Sequence, residues 1–446
     1  MGILIVIGQL FLSLSILIVL HEFGHFLPAK LFGTRVEKFY LFFDPWFSLF
    51  KFTKGGTEYG IGWLPLGGYV KIAGMVDESM DMEQMQQPEQ PWEFRSKPVW
   101  QRLIIMLGGV IVNFVLGFLI WGLILFAYGT EYIPAENVTS GIYPDSLGIE
   151  LGLQNGDHIL KVGERDFDKF NEGRLRQEIS INNANTILVR RNGQEVTLPV
   201  DKKFINILAG NTYKNYNIFH ADYPWKINLV QKNTPAERAG LEVDDTIIAI
   251  NGTILRHWTD VPKMVNGITN PTIALTVQRA GQPVDLTVNM GDAKLLGVSR
   301  YDAREFFDSV VEEYSFGEAM ALGVTKGLDF LNTQIKAFGQ MGKGNLNPNE
   351  TMGGFASFAK LFPDTWNWQI FWRNTALISL ILAFMNILPI PALDGGHVMF
   401  LMYEMITGRK PSDKFLQYST VAGFALVLML LLYANGLDVL RWWRGE

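Results

Sequence analysis

The sequence predicts a multi-pass α-helical membrane protein of about four spanning helices, interrupted by a soluble insert made of two copies of one domain. Three observations predict it. Hydrophobic residues fill 48% of the 446 positions and charged residues 18%, with a mean hydropathy of +0.13, which is apolar for a soluble enzyme and polar for a chain lying wholly in a bilayer. Four windows, residues 3–20, 103–128, 375–393 and 416–437, approach the roughly 20 apolar residues a spanning helix needs. Between the second and third windows lies a long stretch of ordinary soluble composition that repeats itself. The chain is also longer than one core usually organises. A net charge of -6 without a basic cluster excludes nucleic acid as a partner. The absence of cysteine excludes disulfides, thiolate nucleophiles and Cys-ligated zinc, and leaves the redox compartment open.

The elements follow in chain order. The uncharged run 3–20 extends as helix through His25 to about Ala29 and has neither a basic n-region nor a small-residue cleavage site, so it reads as a retained helix. "TEYGIGWLPLGGYVKIAGM" (57–75) alternates on either side of a Pro-Leu-Gly-Gly turn and reads as a hairpin with an edge open to an extended chain. Residues 76–102 are acidic, Met-rich and broken by proline, as in a mobile or interfacial loop, with a gating role as the sharper reading. The second window completes a membrane region over 1–129.

In the insert, "GLQNGDHILKV" at 152 and "GLEVDDTIIAI" at 240 stand 88 residues apart (240 − 152). "RNGQEVTLPV" at 191 and "RAGQPVDLTV" at 279 keep the same spacing (279 − 191). Two domains follow, 130–222 and 223–292, each ending in strands around a turn, Asn192-Gly193 or Ala280-Gly281. Residues 293–370 form a connecting region, in which "GEAMALGVTKGLDFLNTQIKAFGQM" has the spacing of an amphipathic helix. The last region, 371–446, holds the third and fourth windows.

The first window ends in "HEFGH". On a helix His21 and His25, at i and i+4, project on one face and suit a shared metal, with Glu22 beside them. The bland reading is a pair of helix-end histidines reaching for the interface. Against it, an ionisable group at the centre of a spanning helix costs about 2.5–3.5 kcal/mol, so such groups usually do work. Catalytic zinc takes three protein ligands and keeps a fourth position open. "NILPIPALDGGH" offers two candidates for the third, Asp394 and His397; if the spans alternate, the ends of the first and third windows arrive on one side. Nitrogen and oxygen donors would also take iron or cobalt.

Two resemblances sharpen this. "TPAERAGLEVDDTIIAINGTIL" resembles the PDZ domains attached to bacterial proteases; the copy at 145–167 is looser, and Asp244 stands where the family usually has Gly. Ligand capture and screening by bulk both remain open for the pair. H-E-F-G-H in the first window, Gly109 and Asn113 in the second, and N-x-x-P-x-P-x-L-D-G from Asn386 resemble the site-2 protease family of intramembrane zinc metalloproteases. The pattern is most similar to the bacterial subgroup typified by the regulator of sigma-E protease, with two PDZ domains. The resemblance implies that His21, His25 and Asp394 bind Zn2+, that Glu22 is the catalytic base, and that His397 supports the ligands. It also implies that the 57–75 hairpin is re-entrant. Two positions depart from the family: Val110 after Gly108-Gly109, and Phe355 in "MGGF", both where proline is common.

A substrate held as a membrane helix has its carbonyls engaged, so the enzyme must offer an unwound segment replacement hydrogen bonds. Gly67, Gly68 and Tyr69 on the hairpin are candidates for this. So is Asn386, beside the helix-breaking Pro389 and Pro391.

Lys30, Arg35, Lys38, Lys51, Lys54, Lys71, Arg95, Lys97 and Arg102 in one loop, and Arg409, Lys410 and Lys414 in another, place both loops in the cytoplasm, with the PDZ-like pair outside. With the family, this points to a bacterial inner membrane. The expected function is hydrolysis of a peptide bond in or near the transmembrane segment of a single-span protein. It would be the second cut of a stress-signalling cascade of the anti-sigma-factor type, after an upstream protease. The alternatives are clearance of remnant signal peptides by the same chemistry, and a non-catalytic PDZ membrane adaptor. The expected partners are the substrate and the lipid bilayer.

Overall fold

The structure is a computed structural model that describes residues 2–65, 67–75, 88–209, 217–255, 261, 264, 272–291 and 295–444. The acidic run Asp77, Glu78, Asp81 and Glu83 of the expected loop lies outside the described residues. The chain divides into two compact units: Met1–Gly129 with Glu313–Phe338 and Met352–Glu446, and Thr130–Glu312 with Gly339–Thr351.

The first unit is mainly helical. Its helices are α1 (Gly2–Leu31), α2 (Val99–Tyr128), α3 (Phe316–Gly342, which runs on past this unit), α4 (Trp368–Asn386), α5 (Asp394–Thr407) and α6 (Asp413–Arg444). Among the described residues, α1, α2 and α6 are long and apolar enough to cross a membrane. The expected third span, 375–393, is not one helix. Helix α4 stops at Asn386, because Pro389 and Pro391 have no N–H to continue the ladder. The chain then folds back through Ile390 N–H to Leu388 O (2.7 Å) and Leu393 N–H to Ile390 O (2.9 Å) before restarting as α5. Helix α4 carries Gln369, Arg373 and Asn374 in its first two turns and is not among the helices apolar enough to cross.

Glycines let the helices approach. A Cβ on Gly24 of α1 would fall 2.6 Å from the carbonyl carbon of Gly108 and 2.8 Å from Cα of Gly109, on α2. Helix α3 meets α2 in the same manner: a Cβ on Gly323 would lie 2.7 Å from Cα of Gly122. The 316–342 segment is therefore a packed helix rather than a free surface one. The Phe355 departure also has a reason, since its N–H donates to Asn435 Oδ1 (3.2 Å), a bond proline could not make.

A four-stranded sheet follows α1: β1 (Val36–Leu41), β2 (Phe43–Lys54), β3 (Thr57–Leu64) and β4 (Tyr69–Ile72), in the order β2-β3-β1-β4. The expected hairpin over 57–75 is not formed. Strand β3 runs parallel to β1 and β4 antiparallel to it, so β1 lies between them. The hairpin is instead β2–β3, closed by Gly55 and Gly56 at φ 58° and 77°, the left-handed pair a two-residue turn requires. Alternation marks strands but does not choose their partners. The outcome leaves β4 as a sheet edge.

The second unit repeats one pattern 88 residues apart. Strands His158–Val162 and Thr246–Ile250 (246 − 158 = 88) each pair with the first arm of a hairpin, Thr186–Pro199 or Thr272–Asn289. Ile159, Val162 and Val189 pack in one core where Ile247, Ile250 and Val277 pack in the other. An ion pair repeats too. Arg191 holds the buried Asp157 with two bonds of 2.8 Å and reaches Gly152 O; Arg279 holds the buried Asp245 with two of 2.7 Å and reaches Gly240 O. Beyond residue 292, Val298–Arg300 pairs with Ile227–Val230, so the ladder of the second copy outruns its expected end. Asp244 sits at φ 72°, a left-handed conformation that glycine adopts without strain. Its hydrogen bond from Lys226 holds the carboxyl below its ordinary range.

Arg279→Met leaves Asp245, which has no exposed surface, as a buried charge without its cation. A loss of about 3 kcal/mol in the stability of this domain is expected. Hydrogen exchange across residues 223–300 of the intact protein measures it; unchanged protection would refute it.

Candidate metal centre

Helix α1 carries the pair because the helix of the apolar run 3–20 continues unbroken through residues 21–25, placing His21 and His25 one turn apart. Helix α5 begins at Asp394, and this start is fixed by two glycines: a Cβ on Gly396 would fall 2.6 Å from Cα of Pro391, and one on Gly395 would strike the Leu388 carbonyl. The proline loop thus folds tightly onto the first turn of α5 and delivers the Asp394 carboxylate to the histidines.

The three side chains form a nearly regular triangle. His21 Nε2 and His25 Nε2 are 3.3 Å apart, and Asp394 Oδ2 is 3.4 Å from the first and 3.5 Å from the second. Donors held tetrahedrally around zinc at about 2.0–2.1 Å stand about 3.3–3.4 Å from one another, so the triangle has the size of one face of such a site. Asp394 Oδ2 is buried and makes no hydrogen bond. A buried, unsatisfied carboxylate oxygen is expensive unless a cation faces it. Size, donor types and the orphaned oxygen all fit zinc.

The far side of each ring is held. His25 Nδ1–H donates to the Ile105 carbonyl (2.8 Å), which leaves Nε2 with its lone pair toward Asp394. His21 Nδ1 lies 3.2 Å from Nδ2 of the buried Asn113. Both supports come from α2. Gly109, between them on the same helix, leaves the room the rings occupy: a Cβ there would sit 2.6 Å from His21 Cε1 and 2.8 Å from its Nδ1, and would also strike His25 Nε2.

Of the residues singled out in the sequence, Asn386 is at the triangle, its Nδ2 3.3 Å from His21 Nε2. Gly68 is beside Glu22: a Cβ on it would lie 3.4 Å from Glu22 Cγ and 2.8 Å from the Tyr40 carbonyl. Gly67 packs on the Phe43 ring, and Tyr69 begins β4. Pro389 and Pro391 shape the loop behind Asp394 rather than pairing with it. His397 is one turn along α5 and is not one of the three donors. The Ile105 carbonyl is invisible in the sequence, and Asn113 and Gly109 are legible there only as motif letters. The small residues Gly108, Gly109 and Gly117 along one apolar helix are the signal that a close packing partner existed.

Two imidazoles on a helix long and apolar enough to span a membrane, closed into a triangle by a carboxylate from α5, have the donor set of a metal-dependent hydrolase. Residues 9–430 match the model of Peptidase family M50, and the chain belongs to that family. It is a zinc metalloprotease of the site-2 type. It is 28% identical to the regulator of sigma E protease of Haemophilus influenzae, over 98% of both chains. It is 28% identical to the regulator of sigma-E protease of Escherichia coli, over 95% of this chain and 96% of that one. A protein named as a zinc metalloprotease from Vibrio cholerae is 29% identical, over 96% of this chain and 97% of the relative.

Proposed function

We propose that His21, His25 and Asp394 hold the zinc, that Glu22 is the catalytic base, and that the reaction is hydrolysis of a peptide bond in or near the transmembrane segment of a single-span membrane protein. The observation that carries this is the donor triangle, with edges of 3.3–3.5 Å, two corners of which lie on a helix long and apolar enough to span a bilayer. An aqueous substrate would not need its catalytic groups there.

Bound at the triangle, zinc supplies the Lewis acidity that makes water nucleophilic near neutral pH and polarises a peptide carbonyl. The Glu22 carboxylate takes a proton from the water that attacks the scissile carbonyl carbon. It then returns that proton to the amine nitrogen as the C–N bond breaks. Asn386 offers its amide to the backbone of the unwound substrate beside His21, with Pro389 and Pro391 keeping that end of α4 free of helix. Gly67 and Gly68, with strand β4 that starts at Tyr69, offer main-chain groups along the open edge, so that an extended substrate gains a strand partner in place of its own helix bonds.

The two repeated domains, 130–222 and 223–292, are PDZ-like and screen substrates, so that a protein still bearing its bulky outer portion stays out. The relatives named as regulators of sigma E protease favour a stress-signalling role, with this chain making the second cut in the inner membrane after an upstream protease. The PDZ-like pair then faces the periplasm, and residues 30–102 and 408–414 face the cytoplasm.

Two results are expected. Removing zinc from the purified protein with a chelator stops cleavage of a synthetic single-span peptide, and added zinc restores it, with mass spectrometry placing the cut inside the apolar segment. Cleavage that survives chelation, or a cut well outside that segment, would overturn the proposal. Gly109→Ala displaces both imidazoles and lowers zinc affinity by about 10- to 100-fold. Competition with a chromophoric chelator on the folded variant reads this directly, and wild-type affinity would contradict it.

A further inference from the structure

Strand β2 is broken where it should be regular. On β2 the pairing advances five residues, from Phe43 to Ser48, while β3 advances two, from Leu64 to Gly62, so Asp44, Pro45, Trp46 and Phe47 bulge out of the ladder. Phe42 (φ 68°) and Trp46 (φ 73°) lie in the left-handed region on either side of Asp44, a conformation bulky residues avoid. Strain of this kind persists only where surrounding contacts enforce it. Here Trp63 Nε1–H donates to the Pro45 carbonyl (2.8 Å), and Trp63 stacks on Trp46 and Phe47 with ring centres 6.1 and 5.8 Å apart.

The bulge aims one side chain across the sheet. Asp44 Oδ1 accepts the Tyr69 hydroxyl at 2.7 Å, and Asp44 Oδ2 accepts Ser48 Oγ–H at 3.1 Å. Lys38 Nζ stands 3.8 Å from the same carboxylate. The Tyr69 ring is clamped between Phe43 (5.8 Å, 6°) and Tyr40 (5.3 Å, 15°). Burial, and then the Asp44 carboxylate, push the Tyr69 phenol above its ordinary value, so it stays protonated and donates. Tyr69 is the first residue of β4 and follows Gly68, the glycine against Glu22.

We propose that Asp44 is a positioning residue for peptide hydrolysis: held by the strained bulge, it fixes Tyr69, and through Tyr69 sets the register of the β4 edge relative to Glu22. This rests on the reading of β4 as the edge that takes the substrate. A strand edge without a fixed register admits slippage in steps of two residues. Loss of Asp44 therefore spreads the cut over bonds two residues apart as well as slowing it.

The test uses the full chain in lipid with a synthetic peptide of one Leu-rich span interrupted by Gly-Ser. Because the chain has no cysteine, Lys71→Cys gives one thiol on β4. Its disulfide cross-linking to cysteines placed along the peptide reports whether the substrate lies on this edge, and in which register. Asp44→Ala and Tyr69→Phe are each expected to lower kcat about tenfold with KM nearly unchanged, to keep zinc, and to broaden both the cut position and the cross-linking register. The double variant should be no worse than either single one. Asp44→Asn, whose amide oxygen still accepts the phenol hydrogen bond, should restore a single cut position. Absent cross-links in the otherwise unaltered protein would overturn the substrate-edge reading, and this inference with it. Present cross-links together with an unchanged cut position in Asp44→Ala and Tyr69→Phe would overturn the inference alone, as would failure of Asp44→Asn to restore a single cut.

Discussion

Glu22→Gln is expected to keep its zinc and to cleave a single-span peptide about 10³-fold more slowly than the wild type. Glutamine has the shape of glutamate and preserves the packing between Gly68 and α1, but its amide cannot take up a proton at neutral pH. Glu22 is not a corner of the donor triangle, so removing its charge leaves His21, His25 and Asp394 in place. The residual rate measures what zinc and orientation contribute without a base. Zinc content by mass spectrometry and initial rates on the same preparation provide the comparison. A variant that cuts at the wild-type rate would remove Glu22 from the reaction, and one that loses zinc would make it a structural support.

Asp394→Ala has the opposite signature, with zinc and cleavage lost together. Two imidazoles remain, but a third donor is missing, and the carboxylate also supplied the negative charge facing the ion. The orphaned state of Asp394 Oδ2 makes the sign of the stability effect testable. Without zinc the alanine variant should be no less stable than the wild type, because it no longer buries an unsatisfied oxygen. With zinc present only the wild type should gain stability, as expected of a protein that binds the ion in its folded form. Thermal unfolding with and without a chelator distinguishes these states. Full zinc occupancy in Asp394→Ala, with loss in His397→Ala, would transfer the third position to His397.

The histidine pair and Glu22 were legible because helical spacing alone puts positions 21 and 25 on one face, whatever the rest of the chain does. The residues alone offered Asp394 or His397 as the third donor and the family resemblance pointed to Asp394; the fold-back at Pro389 and Pro391, which fixes where α5 starts, brings the Asp394 carboxylate within 3.5 Å of both histidines. The repeat was equally plain, since a spacing of 88 residues survives in the strands, in the core positions and in the Arg–Asp pairs. What stayed hidden was non-local. That β1 inserts between β3 and β4 depends on a parallel pairing which alternation does not encode. Val298–Arg300 completes a ladder begun some 70 residues earlier, at Ile227–Val230. The supports from Ile105 and Asn113 follow from how closely α1 and α2 approach, and Gly24, Gly108 and Gly109 set that approach without saying which groups it brings together. The bulge at Asp44 was the least legible of all, since three extra residues within a strand look like any other strand until the partner is known.

X-ray absorption at the zinc edge of the purified wild-type protein tests the central claim most directly. A first shell of two imidazoles and one carboxylate at about 2.0–2.1 Å, with an imidazole lost in His21→Ala or His25→Ala, is the expected result. A shell of three imidazoles, or one unchanged by either substitution, would place the metal elsewhere and contradict the assignment of His21, His25 and Asp394.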